Sequence, residues 1–115
     1  MSKRGGYPGG GNMGNMNAVM KQAQKMQEEL QRAEEEVKQM TNEATAGGGM
    51  VKVVVTGEML VQSITIDPEA VDPDDVEMLQ DMVMAATNEA LRGMQEKSSE
   101  RISEATGGMN IPGIM

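Results

Sequence analysis

Apolar residues recur through the first half of the chain at Val19, Ala23, Met26, Leu30, Ala33, Val37, Met40 and Ala44, alternately four and three apart. That spacing keeps one side of an α-helix apolar and is the seam of a heptad repeat. It runs about 26 residues without Pro or Gly, so a helix is predicted from Asn17, stopped by Gly47-Gly48-Gly49 in the manner of a helix C-terminus. From Met50 to Ile66 β-branched residues dominate, broken once by Gly57, and an antiparallel hairpin is predicted. With Gly57-Glu58 as a two-residue turn, Val55 faces Leu60, Val53 faces Gln62 and Val51 faces Ile64. The opposite face then carries Lys52, Val54, Thr56, Met59, Val61 and Ser63, so one face is nearly all apolar and the other half apolar. The helical period returns with Val76, Leu79, Val83, Ala86, Ala90 and Met94, widened by Met78, Met82 and Ala85. This second helix is predicted to run to about Ala105, ended by Gly107-Gly108, and its part beyond Gly93, poor in apolar residues, to project from the body. The fold class is α+β: long helix, antiparallel β-hairpin as a small sheet, long helix.

Composition sharpens this outline. The 115 residues make one domain. A flexible N-terminal arm is expected over 1–16, a helix-hairpin-helix domain over 17–106 and a short tail over 107–115. The chain has no Trp, Phe or Cys and one Tyr, so its 14 Met must do much of the packing. Methionine fills gaps but specifies shape poorly, and the missing burial is expected to come from a second subunit. The lack of Cys and His removes disulfides, thiolate metal sites, thiol catalysis and the commonest general base, so the chain is not expected to be an enzyme or to hold a cofactor. No apolar run reaches the length of a membrane span and no hydrophobic signal core is present, which points to a cytoplasmic protein.

Net charge of −8 opposes blanket electrostatic binding of nucleic acid, so its distribution matters. With Ala23, Leu30, Val37 and Ala44 at heptad position a, Glu29, Glu36 and Glu43 fall at g and Glu34 at e. A parallel zipper would set Glu29 against Glu34, so the seam is expected to pack on the hairpin or the second helix. The first 27 residues hold Lys3, Arg4, Lys21 and Lys25 and no acid. Lys21, Lys25, Arg32 and Lys38 lie on the outer positions b, c and f, either as a solvated face or as contacts for phosphate. Seven carboxylates fall between Asp67 and Asp81. They lack the central Gly and terminal Glu of a calcium loop, so no metal is expected, and Asp72 is predicted to cap the second helix with Pro73 at its first position.

Several stretches in this order resemble the YbaB/EbfC family of bacterial nucleoid-associated proteins. They are Met20-Lys21-Gln22-Ala23-Gln24-Lys25-Met26-Gln27, Gly49-Met50-Val51-Lys52-Val53 with Gly57, and Ile64-Thr65-Ile66-Asp67-Pro68. Glu77-Met78-Leu79-Gln80-Asp81-Met82-Val83, Ala86-Thr87-Asn88-Glu89-Ala90 and Gly108-Met109-Asn110-Ile111-Pro112-Gly113 complete the set. The resemblance covers the chain from about Met16. It implies a small cytoplasmic, nucleoid-associated homodimer whose paired hairpins hold long helices apart like the arms of tweezers, and which binds double-stranded DNA. Lys21, Lys25, Arg32, Arg92, Lys97 and Arg101 are then the expected DNA contacts, with Lys3 and Arg4 as a supplement. Met50, Val54, Val61, Met78 and Met82 are the expected dimer interface. With a single Tyr and no other aromatic residue for stacking, contacts should be mainly to the backbone and shape of the duplex. Four neutralised phosphates would give a salt slope near −3.6, at about 0.9 per phosphate. DNA repair or recombination proteins are open as further partners, and a prefoldin-like chaperone or adaptor acting through Met-rich protein contacts is the competing class.

Overall fold

The structure, a computed structural model, describes residues 9–107, with side chains described from Met16 onward. A long helix, α1 (Gly9–Gln39), leads into three strands, β1 (Thr41–Ala46), β2 (Val51–Thr56) and β3 (Val61–Ile66). A short 3-10 turn (Pro68–Ala70) and a second long helix, α2 (Val76–Ala105), follow. The α+β class holds, but the sheet has three antiparallel strands in the order β1-β2-β3 instead of two. The first helix begins at Gly9, within the stretch read as an arm, while Lys3 and Arg4 lie outside the described residues.

The added strand is the main correction. Thr41–Ala46 fits the end of the heptad seam, yet it pairs along its whole length with β2, from Thr41 opposite Thr56 to Ala46 opposite Val51. Read at period two it also alternates, with Asn42, Ala44 and Ala46 half-buried and Thr41, Glu43 and Thr45 exposed. Six residues that suit a helix or a strand go to the strand because β2 supplies a ladder of hydrogen bonds and a valine row to complete. The three glycines therefore do not stop a helix. Gly47, Gly48 and Gly49, all at positive φ, turn β1 into β2.

The β2–β3 register also differs from expectation. The turn spans Gly57–Leu60, closed by the Thr56 N–H donating to the Leu60 carbonyl at 2.8 Å, and the positive φ falls at Met59. Gly57 is used otherwise: its N–H donates to the Met40 carbonyl at 3.0 Å, and a Cβ there would fall on the Val37 carbonyl. The longer turn and a bulge at Val54/Val55 pair Val51 with Ile66, Val53 with Ile64 and Val55 with Val61. Val61 thus joins the inner, valine-bearing face instead of the Lys52 face. The outer face is largely polar, with Val54 amid Thr41, Glu43, Thr45, Lys52, Ser63 and Thr65.

The inner face is closed by α2. Val51, Val53 and Val55 are fully buried against Ala86, Ala90 and Met94, with Leu79, Met82, Val83 and Leu91 around them, so the predicted stripe is the packed one apart from exposed Val76. Small residues let the helix sit close. The Asn42 amide donates to the Ala90 carbonyl at 3.0 Å, and Gly93 leaves the room that this amide occupies. The helix is capped by Asp75, whose carboxylate accepts the Met78 N–H at 3.2 Å, not by Asp72. Asp72 instead accepts the Asp74 N–H in the preceding turn, because the chain needs that extra turn before it can enter the helix. Past Met94, α2 does not project alone: it packs on the end of α1, where Ala33 and Ala105 are buried and Glu36 meets Arg101.

Candidate nucleic-acid interface

The 31 residues of α1 extend about 46 Å at 1.5 Å per residue, in a molecule 90 Å long. The α1–α2 contact occupies the end of α1 around Ala33 and Glu36, and α2 stops at Ala105, followed by Gly107 at positive φ. The part of α1 before about Leu30 therefore stands beyond the body. It carries Lys21 and Lys25 one turn apart on one face, with Arg32 continuing that face, opposite the apolar seam. All three are exposed and form no ion pair among the described residues. Between Met16 and Gln27 there is no acid, so a segment of a chain with net charge −8 presents local positive charge. Lys21 and Lys25 are about 6 Å apart along the helix, the rise of two phosphates of one DNA strand at about 3.4 Å each.

The cations of α2 are placed differently. Arg92 is held by Glu89 at 2.6 Å and Glu96 at 3.4 Å, and its pKa is raised, first by the hydrogen bond to Glu89. Arg101 binds Glu36 across the helix pair at 2.7 Å and lies 3.7 Å from Glu104. That hydrogen bond is the main reason why the Glu36 carboxyl is lowered and the Arg101 guanidinium raised. Lys97 donates to the Thr41 carbonyl at 3.0 Å, fastening α2 to the start of β1. The structure thus brings Lys21, Lys25 and Arg32 together on one helix face and spends Arg92, Lys97 and Arg101 on the fold. A further exposed cation, Lys52, stands on the outer sheet face between Thr45 and Thr65, on the strand face that the alternation set down as half apolar.

Carboxylates do not converge on a cation site. Asp67, Asp72 and Asp75 accept backbone N–H groups from Glu69, Asp74 and Met78, and among the described residues no cluster of three metal-ligating side chains forms. No helix of the described residues is long and apolar enough to cross a membrane.

Of the five residues expected at a dimer interface, Met82 packs within the subunit, in the space that the missing Cβ of Gly47 leaves. Met50 is half-buried in the β1–β2 loop and Val54 half-buried on the outer face. Val61 and Met78 are exposed. The larger uncovered apolar area is on β3: Val61, Ile64 and Ile66 share the face of the fully buried valines of β2, yet are 46%, 45% and 36% exposed because α2 lies over β1 and β2. The pattern of alternation could not reveal this, since it reports the face of a strand and not how far a helix reaches across it.

The model of the YbaB/EbfC DNA-binding family matches residues 13–109. A protein of Acetivibrio thermocellus named as nucleoid-associated is 56% identical over 112 residues, covering 96% of this chain and 97% of that protein. A nucleoid-associated protein of Ruminiclostridium cellulolyticum is 51% identical over 112 residues, with the same shares covered. Among solved structures, the crystal structure of an uncharacterized protein from Helicobacter pylori is similar with a TM-score of 0.55 and 28% identity, over 65% of this chain and 87% of that one.

Proposed function

Because this chain belongs to the YbaB/EbfC DNA-binding family, we propose that it is a nucleoid-associated protein that binds duplex DNA as a homodimer, with Lys21 and Lys25 of each α1 arm on the phosphate backbone and Arg32 beside them. The observation that carries this is the contrast among the cations: those of the arm are exposed and form no ion pair among the described residues, whereas Arg92, Lys97 and Arg101 are held by partners in the fold. Two lysines from each of two arms neutralise four phosphates, so log affinity falls against log salt with a slope near −3.6, at about 0.9 per phosphate. Such contacts position the protein without reading bases, and sequence preference is modest. The acidic start of α2 and the carboxylates after Gln27 keep DNA away from the body and confine it to the arms.

The dimer forms through the open part of the inner face, with Val61, Ile64 and Ile66 of β3 at its centre and Met78 near it. Three aliphatic side chains on an edge strand are a surface that a monomer would have to leave wet, with unpaired backbone groups beside them. A mobility-shift series across salt concentrations tests the DNA role. Salt-sensitive shifts lost in Lys21→Glu/Lys25→Glu are expected; shifts unchanged by that double reversal would sink the assignment of the site. No shift at low salt, together with suppression of client aggregation, would favour the chaperone class instead. Sedimentation of Ile64→Glu, expected to run as a monomer, tests the dimer surface.

A further inference from the structure

The seam of α1 continues beyond the point where α2 covers it. Ala33 is fully buried and Val37 and Met40 half-buried, but Met16, Val19 and Met20 are 62%, 61% and 65% exposed. The same heptad spacing runs through both parts, so the uncovered part is shaped to receive another helix. DNA does not fill that role, because a phosphate backbone offers no apolar surface and the lysines lie on the opposite side of the helix. We propose that the occupant is the same arm of a second copy, laid antiparallel, so that the seam from Met16 to Met26 becomes an interface joining two dimers.

The flanking positions favour this occupant and this direction. Beside the free seam lie Met20 and Gln27 at position e and Gln22 at g, all uncharged, whereas the first acidic flanks are Glu29 and Glu34. Parallel arms would bring Glu29 against Glu34, and antiparallel arms centred at the level of Lys21 would not. In that alignment Met16 meets Met26 of the second copy and Val19 meets its Ala23. Lys21 and Lys25, on outer positions, then face away from the pair on both sides. Each pair of arms presents two basic stripes to two DNA segments, which turns a binder of one duplex into a bridge between two. The bridging step rests on the DNA-binding role proposed for Lys21 and Lys25; the pairing of arms does not.

The chain has no cysteine, so single cysteines report the pairing cleanly. In full-length Gln22→Cys treated with a short bis-maleimide a crosslink between copies is expected, because antiparallel pairing puts the two position-22 side chains on the same edge of the pair, with backbones about 8–10 Å apart. Lys21→Cys, on the outer face, should crosslink roughly tenfold more slowly or less, since only held thiols gain a millimolar effective concentration. Both are repeated in an Ile64→Glu background, where the difference should persist if the contact is between arms and not through β3. Val19→Glu/Ala23→Glu should abolish the Gln22→Cys crosslink while circular dichroism keeps its helical signal. No crosslink at position 22, equal crosslinking at 21 and 22, or a crosslink that survives Val19→Glu/Ala23→Glu would each overturn arm pairing. A variant Lys21→Glu/Lys25→Glu that still binds DNA, beside a normal crosslink at position 22, would remove the DNA reading and leave the pairing standing.

Discussion

The two halves of α1 share one heptad seam and meet different fates. Toward its C-terminus the seam is covered by α2 and fastened by Glu36 to Arg101, and Gly57 locks the helix end to the sheet. Toward its N-terminus the same spacing leaves Val19 in water beside exposed Met20, and two lysines that form no ion pair among the described residues stand on the far side. Periodicity therefore tells which side of a helix is apolar but not whether anything covers it. The difference comes from length: α2 ends at Ala105 and can shield only what lies beside it. Packing consumes both the apolar and the charged groups of the body, and leaves those of the arm available for partners.

Methionine gives the largest contrast. Met94 is fully buried in the core, and Met94→Ala is expected to cost about 3 kcal/mol in urea denaturation, through lost burial and a cavity. Met20→Ala, in the arm, should stay within about 0.5 kcal/mol of wild type. A large loss for Met20→Ala would mean that the arm is already covered at the concentration used, and dilution should then restore the small value. Charge comes next. Lys21→Glu/Lys25→Glu should lower DNA affinity roughly a hundredfold or more at moderate salt and flatten the salt slope. Arg92→Glu, already neutralised in the fold by Glu89 and Glu96, should change affinity only a few-fold, and a larger loss would break the division between free and engaged cations.

Within the body, Gly93→Ala pits two effects against each other. Helix propensity favours Ala by about 1 kcal/mol. The new Cβ displaces the Asn42 amide from the Ala90 carbonyl, and a half-buried amide left unpaired costs about 1–3 kcal/mol, so a net loss near 1 kcal/mol is expected by thermal melting. Asn42→Ala/Gly93→Ala removes both the clash and the orphaned amide and should recover most of that loss. The smallest effect is the pH response of the helix clasp. The Glu36 carboxyl is held below its ordinary value of 4.5 chiefly by the Arg101 hydrogen bond. Its contribution is therefore present above that value and lost as pH falls through the lowered one. The protection factors of amides in the last turns of α2, corrected for intrinsic exchange, should fall below about pH 4.5 while those of Ala86 to Ala90 hold, and Glu36→Gln should remove that pH-dependent loss.

Much of the scaffold is legible along the chain because each signal is local. The valine run has to be a strand, the stripe from Leu79 to Met94 has to face a core, and Gly107 ends α2 with a positive φ. The face assigned to Val51, Val53 and Val55 needs only the period of two, and the outward lysines of α1 need only the period of 3.6. Three matters were decided in space. Thr41–Ala46 suits helix and strand alike, and only pairing with β2 selects the strand. The β2–β3 register follows from Gly57 being held under the end of α1, which no pattern within the hairpin can express. The cations look equivalent as letters, and they separate only because Glu36, Glu89 and the Thr41 carbonyl lie within reach of three of them. Periodicity determined which surfaces are apolar and which are charged. Tertiary contact decided which of those surfaces were left over, because satisfaction of a side chain depends on neighbours distant in sequence.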